Sequence, residues 1–331
     1  MTARAPGYLA LYDSGELERR ADALERRLAV CDICPRECGA ERLAGARGEC
    51  HSGWLPVVAS YCDHHGEEPA VSGSRGSGTI FFGNCSMACV YCQNHQISQD
   101  YGFQQDNEVS VAVLADSMLK LQEKRHCHNI NLVTPTHFAP QIIRALLMAV
   151  EGGLELPLVY NTSSYDSVET LKLLDGIVDI YLADLRYAED GVGAIYSGVP
   201  DYATRARAAI REMFRQVSLL ETDDAGVAKN GLVVRHLILP GGLAGSRESL
   251  AWLAGEISQE VAVSIMAQYY PAHRAREFSE LARGITEEEY LEVMQLAGEL
   301  GLENGWAQGT EAHVNYRPDF DREGHPFKGD V

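Results

Sequence analysis

Apolar and polar positions follow two different periods along this chain. Between residues 15 and 30, apolar side chains recur at helical spacing among charged ones, which predicts an amphipathic helix. From Thr79 onward, short and nearly continuous apolar runs alternate with helical patterns about six times. Strands that are apolar on both faces are typical of a parallel sheet covered by helices. The pattern therefore predicts an α/β fold, either doubly wound or a partial barrel.

Several element ends and loops also have sequence signals. Asp166 with Glu169 predicts a capping pair for one helix, and Thr286 with Glu289 fits a capping box for the last one. Residues 51–78 carry no strong period and are predicted to be mostly loop. The six predicted strands lie in TIFFGN, NINLVTPTH, LVYNTSS, IVDIYLADLRY, GLVVRHLILPGG and VAVSIMAQYYP.

These elements divide the chain into three predicted regions. Residues 1–75 form a small module with a helix and four cysteines, wrapped on a larger domain. Residues 76–275 hold the six strand–helix alternations, and residues 276–331 form a helical extension with a polar tail. The expected architecture is one parallel α/β domain with a small addition at each end.

Composition and charge exclude several classes of function. The 331 residues include 28 basic and 47 acidic side chains, for a formal net charge of −19. General affinity for nucleic acid or anionic membranes needs clustered lysine and arginine, so neither partner is expected. The chain shows no secretory signal and no run of about 18 apolar residues, which predicts a cytoplasmic protein. In that reducing compartment the nine cysteines are better metal ligands than disulfide partners.

Three cysteines lie close together directly after the first predicted strand. Cys85, Cys89 and Cys92 have C-x3-C-x2-C spacing. Structural zinc takes four nitrogen or sulfur ligands, and His95 would have to complete such a site. A [4Fe–4S] cluster is likewise held by four thiolates, so this loop would leave one iron open. An open metal position is typical of a reactive site.

This loop strongly resembles the cysteine loop of the radical S-adenosylmethionine (SAM) superfamily, in which an aromatic residue precedes the third cysteine, as Tyr91 does here. The resemblance implies that Cys85, Cys89 and Cys92 bind a [4Fe–4S] cluster and that SAM chelates the fourth iron. It also implies reductive cleavage of SAM to a 5′-deoxyadenosyl radical, which abstracts hydrogen from a substrate. The fold that it implies is a partial (β/α)6 parallel barrel with its functional groups at the C-terminal strand ends.

Later motifs narrow the resemblance. GNCSMACVYCQN, VDIYLADLR, VVRHLILPGG and QYYPAH, in that order, are similar to segments of the glycyl-radical enzyme activases, the branch of the pyruvate formate-lyase activating enzyme. The Gly-Gly-Glu-Pro-type segment that usually holds the SAM amine in this branch is replaced here by residues 133–137, which include no carboxylate. The SAM contacts implied by position are Tyr91, Thr134, Thr136, Asn161, Ser163, Asp184, Arg186 and Arg235.

The N-terminal module contains a second set of thiols. Its four cysteines suffice for a closed site, either four-thiolate zinc or an auxiliary [4Fe–4S] cluster, and unliganded thiols are the alternative. Glu67 and Glu68 follow in a predicted loop, where an isolated acidic pair is usually solvated. Their place just before the first strand makes a SAM or substrate contact the other interpretation. The four cysteines, at C-x2-C-x3-C-x11-C spacing, are Cys31, Cys34, Cys38 and Cys50.

The resemblance also implies partners. The leading substrate hypothesis is the glycine of a partner glycyl-radical enzyme, and the enzyme alternative is radical chemistry on a small molecule or a different peptide. An electron donor such as flavodoxin or ferredoxin would be needed in either case. The non-enzyme alternative is a zinc-binding interaction protein.

Overall fold

The fold is built on one sheet, seen in a computed structural model that describes residues 5–308, 318–320, 322 and 325–327. In these residues the sheet has nine strands. All six strands predicted from the sequence are present. The strands are β1 (Val58–His64), β2 (Ser77–Phe82), β3 (Ile130–Val133), β4 (Leu158–Thr162), β5 (Ile180–Asp184), β6 (Glu221–Thr222), β7 (Ala228–Leu237), β8 (Ala262–Met266) and β9 (Gly305–Ala307).

The strand order confirms an α/β fold with a mostly parallel sheet. The order is β1-β2-β3-β4-β5-β7-β8-β9, and every neighbouring pair from β2 to β9 is parallel. Strand β1 pairs with β2 antiparallel at one edge, and β6 forms a short antiparallel pair with β7. The prediction of loop over residues 51–78 was wrong for β1, because this edge strand mixes polar and apolar residues without regular alternation.

The helices cover the sheet largely as predicted. The capping box of the last long helix is confirmed, with the Glu289 N–H donating to Thr286 Oγ1 at 3.2 Å. The Asp166 cap was wrong, since that carboxylate is buried and accepts from Tyr160 and Thr162 instead. The helices are α1 (Gly7–Asp13), α2 (Glu16–Arg26), α3 (Pro69–Ser72), α4 (His95–Ser98), α5 (Tyr101–Gln104), α6 (Val111–Glu123), α7 (Ala139–Glu151), α8 (Val168–Leu173), α9 (Asp190–Ser197), α10 (Tyr202–Val217), α11 (Ser246–Trp252) and α12 (Glu287–Glu299).

The two faces of the sheet bury different partners. One face packs beneath the helices in the main core. On the other face, Val159, Leu182 and Val233 pack against Ala70 and Val71 of the short helix α3. Helix α3 therefore fills the inner face of the sheet below the C-terminal strand ends, and leaves those ends free to form a site. No helix in the described part of the chain has the length and apolar character needed to cross a membrane.

Candidate functional site

A cavity opens where the parallel strands end. Side chains two residues apart share one face of a strand, and the sheet register places Val133 beside Asn161 and Asp184 beside Arg235. The cavity measures about 180 Å³, far more than the roughly 10–15 Å³ that one water requires. It therefore has room for a small-molecule ligand. Six residues predicted as ligand or cofactor contacts line it, namely Tyr91, Cys92, Asn161, Asp184, Arg186 and Arg235.

Asp184, at the end of β5, holds two arginines in this cavity. Its carboxylate accepts from Arg186 at 2.6 Å and from Arg235 Nε at 2.8 Å. The Asp184 side chain is only 8% exposed, so both bonds are charge-assisted contacts in a poorly solvated place. Burial is the largest influence and acts to lower the pKa of Arg235, but the charges of Asp184, Glu68 and Glu67 together hold it above its ordinary value. Both guanidinium groups are therefore fixed cations facing the cavity.

One nitrogen of this arginine pair is left unused. Arg186 Nε is buried and has no hydrogen-bond partner within the described residues. The same guanidinium approaches Cys89 Sγ at 3.9 Å through its Nη1 atom. A buried donor without an acceptor is costly, so a ligand with an anionic oxygen would improve the site at this point.

Glu67 brings a carboxylate into the cavity from a segment predicted to be loop. One of its oxygens accepts from Asn131 at 3.1 Å and from Asn161 at 3.3 Å, and the other lies 3.4 Å from Arg235. Its neighbour Glu68 is also buried, and its pKa is raised by desolvation, with Arg235 lowering it. The interpretation of a solvated acidic pair was wrong. Sequence reasoning could have found these residues only through their position before the first parallel strand.

The three cysteines of the C-x3-C-x2-C loop follow β2 and reach the same edge of the sheet. Burial is the main cause that raises the pKa of Cys85 and Cys92, and the charge of Cys89 raises both further. The three thiols therefore lie within electrostatic range of one another. Burial raises the pKa of Cys85 to about 12. Thiols of this kind are protonated at neutral pH, which argues against a free thiolate nucleophile. Metal binding is the event that would deprotonate them.

Polar neighbours already face the sulfur atoms of this loop. The Ser197 hydroxyl donates to Cys89 Sγ at 3.0 Å, and Ser98 Oγ lies 3.2 Å from Cys92 Sγ. Hydrogen bonds to sulfur are the kind of contact that tunes an iron–sulfur site. Within the described ranges, no group of three histidine, cysteine or carboxylate side chains is close enough together to bind a single metal ion.

Three residues predicted to contact SAM do not line the cavity. Thr134 adopts a positive φ of 62° and donates its N–H to the Asn161 carbonyl at 2.9 Å. Thr136 is buried beside Thr162, at 3.3 Å between hydroxyls. The Ser163 carbonyl accepts from Tyr202 at 2.8 Å. These residues shape the loops behind the cavity wall.

Part of the C-terminal tail forms a wall of the cavity. Pro318 and Phe327 line it, and the Phe327 ring stacks on His64 with ring centroids 4.2 Å apart. His325 lies 3.1 Å from the carbonyl of Asp63 on β1. Parts of the predicted polar tail, within residues 318–320 and 325–327, therefore pack against the cavity and β1. Most of the tail outside these residues lies outside the described part of the chain.

The N-terminal cysteines form a second group of neighbouring thiols. A Cβ placed on Gly48 would lie 3.1 Å from Cys38 Sγ and 3.6 Å from Cys50 Sγ, so both sulfurs converge on this glycine. Burial raises the pKa of Cys34 well above its ordinary value, and the charge of Cys50 adds to the effect. Charge on Cys38 likewise acts on the pKa of Cys31. The four thiols are thus near one another, as the spacing predicts.

The chain has a relative of similar length. It is 27% identical over 295 residues to the uncharacterized protein MJ0674 of Methanocaldococcus jannaschii, a match that covers 87% of this chain and 80% of that protein. No protein-family model matches the chain.

Proposed function

We propose that this protein is a radical SAM enzyme. The observation that carries the proposal is the meeting of the three-cysteine loop with the Asp184–Arg186–Arg235 network, through Cys92 in the cavity wall and Cys89 Sγ at 3.9 Å from Arg186. Cys85, Cys89 and Cys92 would hold a [4Fe–4S] cluster, and the cavity beside Cys92 would take SAM. A partial (β/α)6 barrel, with the cluster loop after its first parallel strand, is the finer fold that goes with this function.

The residues present fit both groups. Three thiolates leave one cluster iron for a further ligand, and Arg186 has an unused donor for an anionic oxygen such as the SAM carboxylate. Glu67 offers a carboxylate of the kind that binds an ammonium group. When bound, the cluster would supply the electron that cleaves SAM and so generates a hydrogen-abstracting deoxyadenosyl radical.

The protein's own residues would orient the ligands and exclude water. Asp184 fixes two guanidinium groups before any ligand enters, so little reorganisation is needed on binding. Helix α3 closes the inner face of the sheet from one side, and Phe327 covers another part of the cavity. No side chain needs to act as a general base in this proposal.

For the substrate, a specific observation favours a second candidate beside the glycine of a glycyl-radical enzyme. A protein substrate needs an open groove for its backbone, whereas Pro318 and Phe327 occupy one side of this cavity. A small molecule would fit the covered site better. Chemistry on either substrate would require a one-electron donor of the flavodoxin or ferredoxin type. Both substrates are consistent with a cytoplasmic enzyme.

The proposal is tested by anaerobic reconstitution with iron and sulfide. We expect the reduced protein to show an electron paramagnetic resonance (EPR) signal that SAM perturbs, and to produce 5′-deoxyadenosine. The Cys89→Ala variant should lose both properties. The matched control is Cys127→Ala, since Cys127 is equally buried and lies outside both cysteine groups.

The opposite result has a definite meaning. A colourless protein that retains zinc, binds no SAM and yields no deoxyadenosine would reject the enzyme proposal. The remaining explanation would then be a zinc-binding interaction protein.

A further inference from the structure

The two loops that carry the cysteines are in direct contact with each other. Arg36, between Cys34 and Cys38, donates from Nε to the carbonyl of Ser86, between Cys85 and Cys89, at 2.8 Å. This bond joins the two cysteine loops themselves. The N-terminal cysteine loop therefore lies against the loop that would hold the SAM-binding cluster.

Two further contacts are made by the residues directly after Cys50. Asn84, immediately before Cys85, donates to Ser52 Oγ at 3.1 Å, just after Cys50. His51 stacks on Tyr101 with ring centroids 3.6 Å apart. Burial is the main cause of the raised pKa of Tyr101, and the charges of Cys85 and Cys50 both raise it further. An aromatic pair and a hydrogen bond thus join the residues beside Cys50 to the segment that follows β2.

These contacts are not needed to attach the module to the sheet. Arg144 of α7 binds Asp22 at 2.6 Å and Glu25 at 2.7 Å, both on α2. Thr170 donates to the carbonyl of Ile33 at 2.7 Å. A zinc ion that only stapled the module could lie anywhere within it. Attachment of the module therefore does not explain why its cysteine loop lies against the other cysteine loop.

A buried cation accompanies the N-terminal thiols. Arg42 is 1% exposed, donates to the carbonyls of Gly53 and His137, and approaches Cys31 Sγ at 3.8 Å. Within the described residues it forms no ion pair with a carboxylate. A buried guanidinium without a counter-charge is costly, and a thiolate cluster at Cys31 would supply that charge.

We infer that Cys31, Cys34, Cys38 and Cys50 hold a second [4Fe–4S] cluster, magnetically coupled to the one at Cys85, Cys89 and Cys92. The inference rests on the proposed function for the first cluster and selects iron over zinc for the second. Arg42 is its buried counter-charge and stabilises the more negative, reduced form.

The test uses the full-length protein reconstituted anaerobically. We expect about eight irons and eight acid-labile sulfides per chain, because two [4Fe–4S] clusters are filled. The fully reduced protein should give an EPR spectrum broadened by interaction between two spins. In Cys34→Ala the iron content should halve and the remaining signal should sharpen, yet still respond to SAM. Cys127→Ala should behave like the unchanged protein.

A second variant gives a readout that a structural role alone does not predict. Arg42→Met should shift the midpoint potential of the N-terminal cluster to a more negative value, and Arg42→Lys should restore most of the shift. The potential of the SAM-responsive cluster should change less in both variants.

Failure of this inference can be told apart from failure of the proposed function. About four irons with one retained zinc, a SAM-perturbed signal and deoxyadenosine would overturn the second cluster and leave the enzyme in place. Eight irons with two non-interacting signals would overturn the coupling. If SAM changes no signal and no deoxyadenosine forms, the proposed function itself fails.

Discussion

The carboxylate of Asp184 is the group whose removal should disturb the candidate site most. It lies between Arg186 and Arg235 and is 8% exposed. In Asp184→Asn the shape is kept, but the charge is lost. The new amide can accept from one arginine with its oxygen, and its NH2 group then faces the other guanidinium. Arg235 keeps Glu67 at 3.4 Å, whereas Arg186 has no second carboxylate among its described contacts.

The size of the effect follows from this burial. Removing one partner of a buried ion pair typically costs about 3–5 kcal/mol, because an uncompensated charge is left behind. The Arg186 side chain is 26% exposed, so water will relieve part of the penalty, and we expect a loss of about 3 kcal/mol in the free energy of unfolding. SAM affinity should fall as well, because the displaced guanidinium no longer faces the cavity.

The assay is urea unfolding under anaerobic conditions, with equilibrium SAM binding measured on the same preparations. Asp116→Asn is the matched control, since Asp116 and Lys120 form an exposed pair with 57% and 49% of their side chains accessible. Such pairs contribute about 1 kcal/mol or less. If Asp184→Asn unfolds like the control and binds SAM like the unchanged protein, Asp184 does not organise the site.

Three further predictions concern other parts of the molecule. In Gly48→Ala the new methyl group would meet Cys38 Sγ at 3.1 Å, so metal analysis should find the N-terminal site depleted, whereas Gly298→Ala, which meets nothing, should leave it full. Burial lowers the pKa of His236 to about 4. Below about pH 6.5 this histidine is therefore protonated in the unfolded chain but stays neutral in the folded protein. The contribution of His236 to stability should therefore fall by about 2 kcal/mol between pH 7 and pH 5, measured as the difference between urea titrations of the unchanged protein and of His236→Gln. Phe327→Ala should weaken ligand binding about fivefold by isothermal calorimetry, since an aromatic contact contributes about 1 kcal/mol; unchanged affinity would mean that the tail does not close the cavity.

The parallel strands were predictable because burial on both faces leaves a continuous apolar run in the sequence. The edges of the sheet were not. Strand β1 mixes polar and apolar residues, and β9 has three residues, too few for a period to appear. The Asp166 cap failed for a related reason. A local pattern read it as a helix cap, while contacts with Tyr160 and Thr162 hold the carboxylate in the core.

In the candidate site, too, some residues could be placed from the sequence and others could not, because their positions depend on distant parts of the chain. Asp184 and Arg235 could be placed together, because each ends a predicted parallel strand and the strand ends share one edge. The conformation of the loop after β3 could not be predicted. Thr134 takes a positive φ there, which is unfavourable for a β-branched residue and is held by its bond to the Asn161 carbonyl.

Glu67 shows why the resemblance alone was insufficient for this loop. In the activases that the sequence resembles, a carboxylate after the second strand usually holds the SAM amine, and residues 133–137 supply none. The cavity nevertheless contains a carboxylate besides that of Asp184, because Glu67 enters from the segment between β1 and α3 and is held by Asn131 and Asn161. Apart from its position before the first parallel strand, the sequence does not signal Glu67, since its place depends on which distant segment fills the inner face of the sheet. The apolar contacts of Ala70 and Val71 with that face fix the segment in place. Burial of two small side chains in α3 thus determines where the acidic group at the site lies.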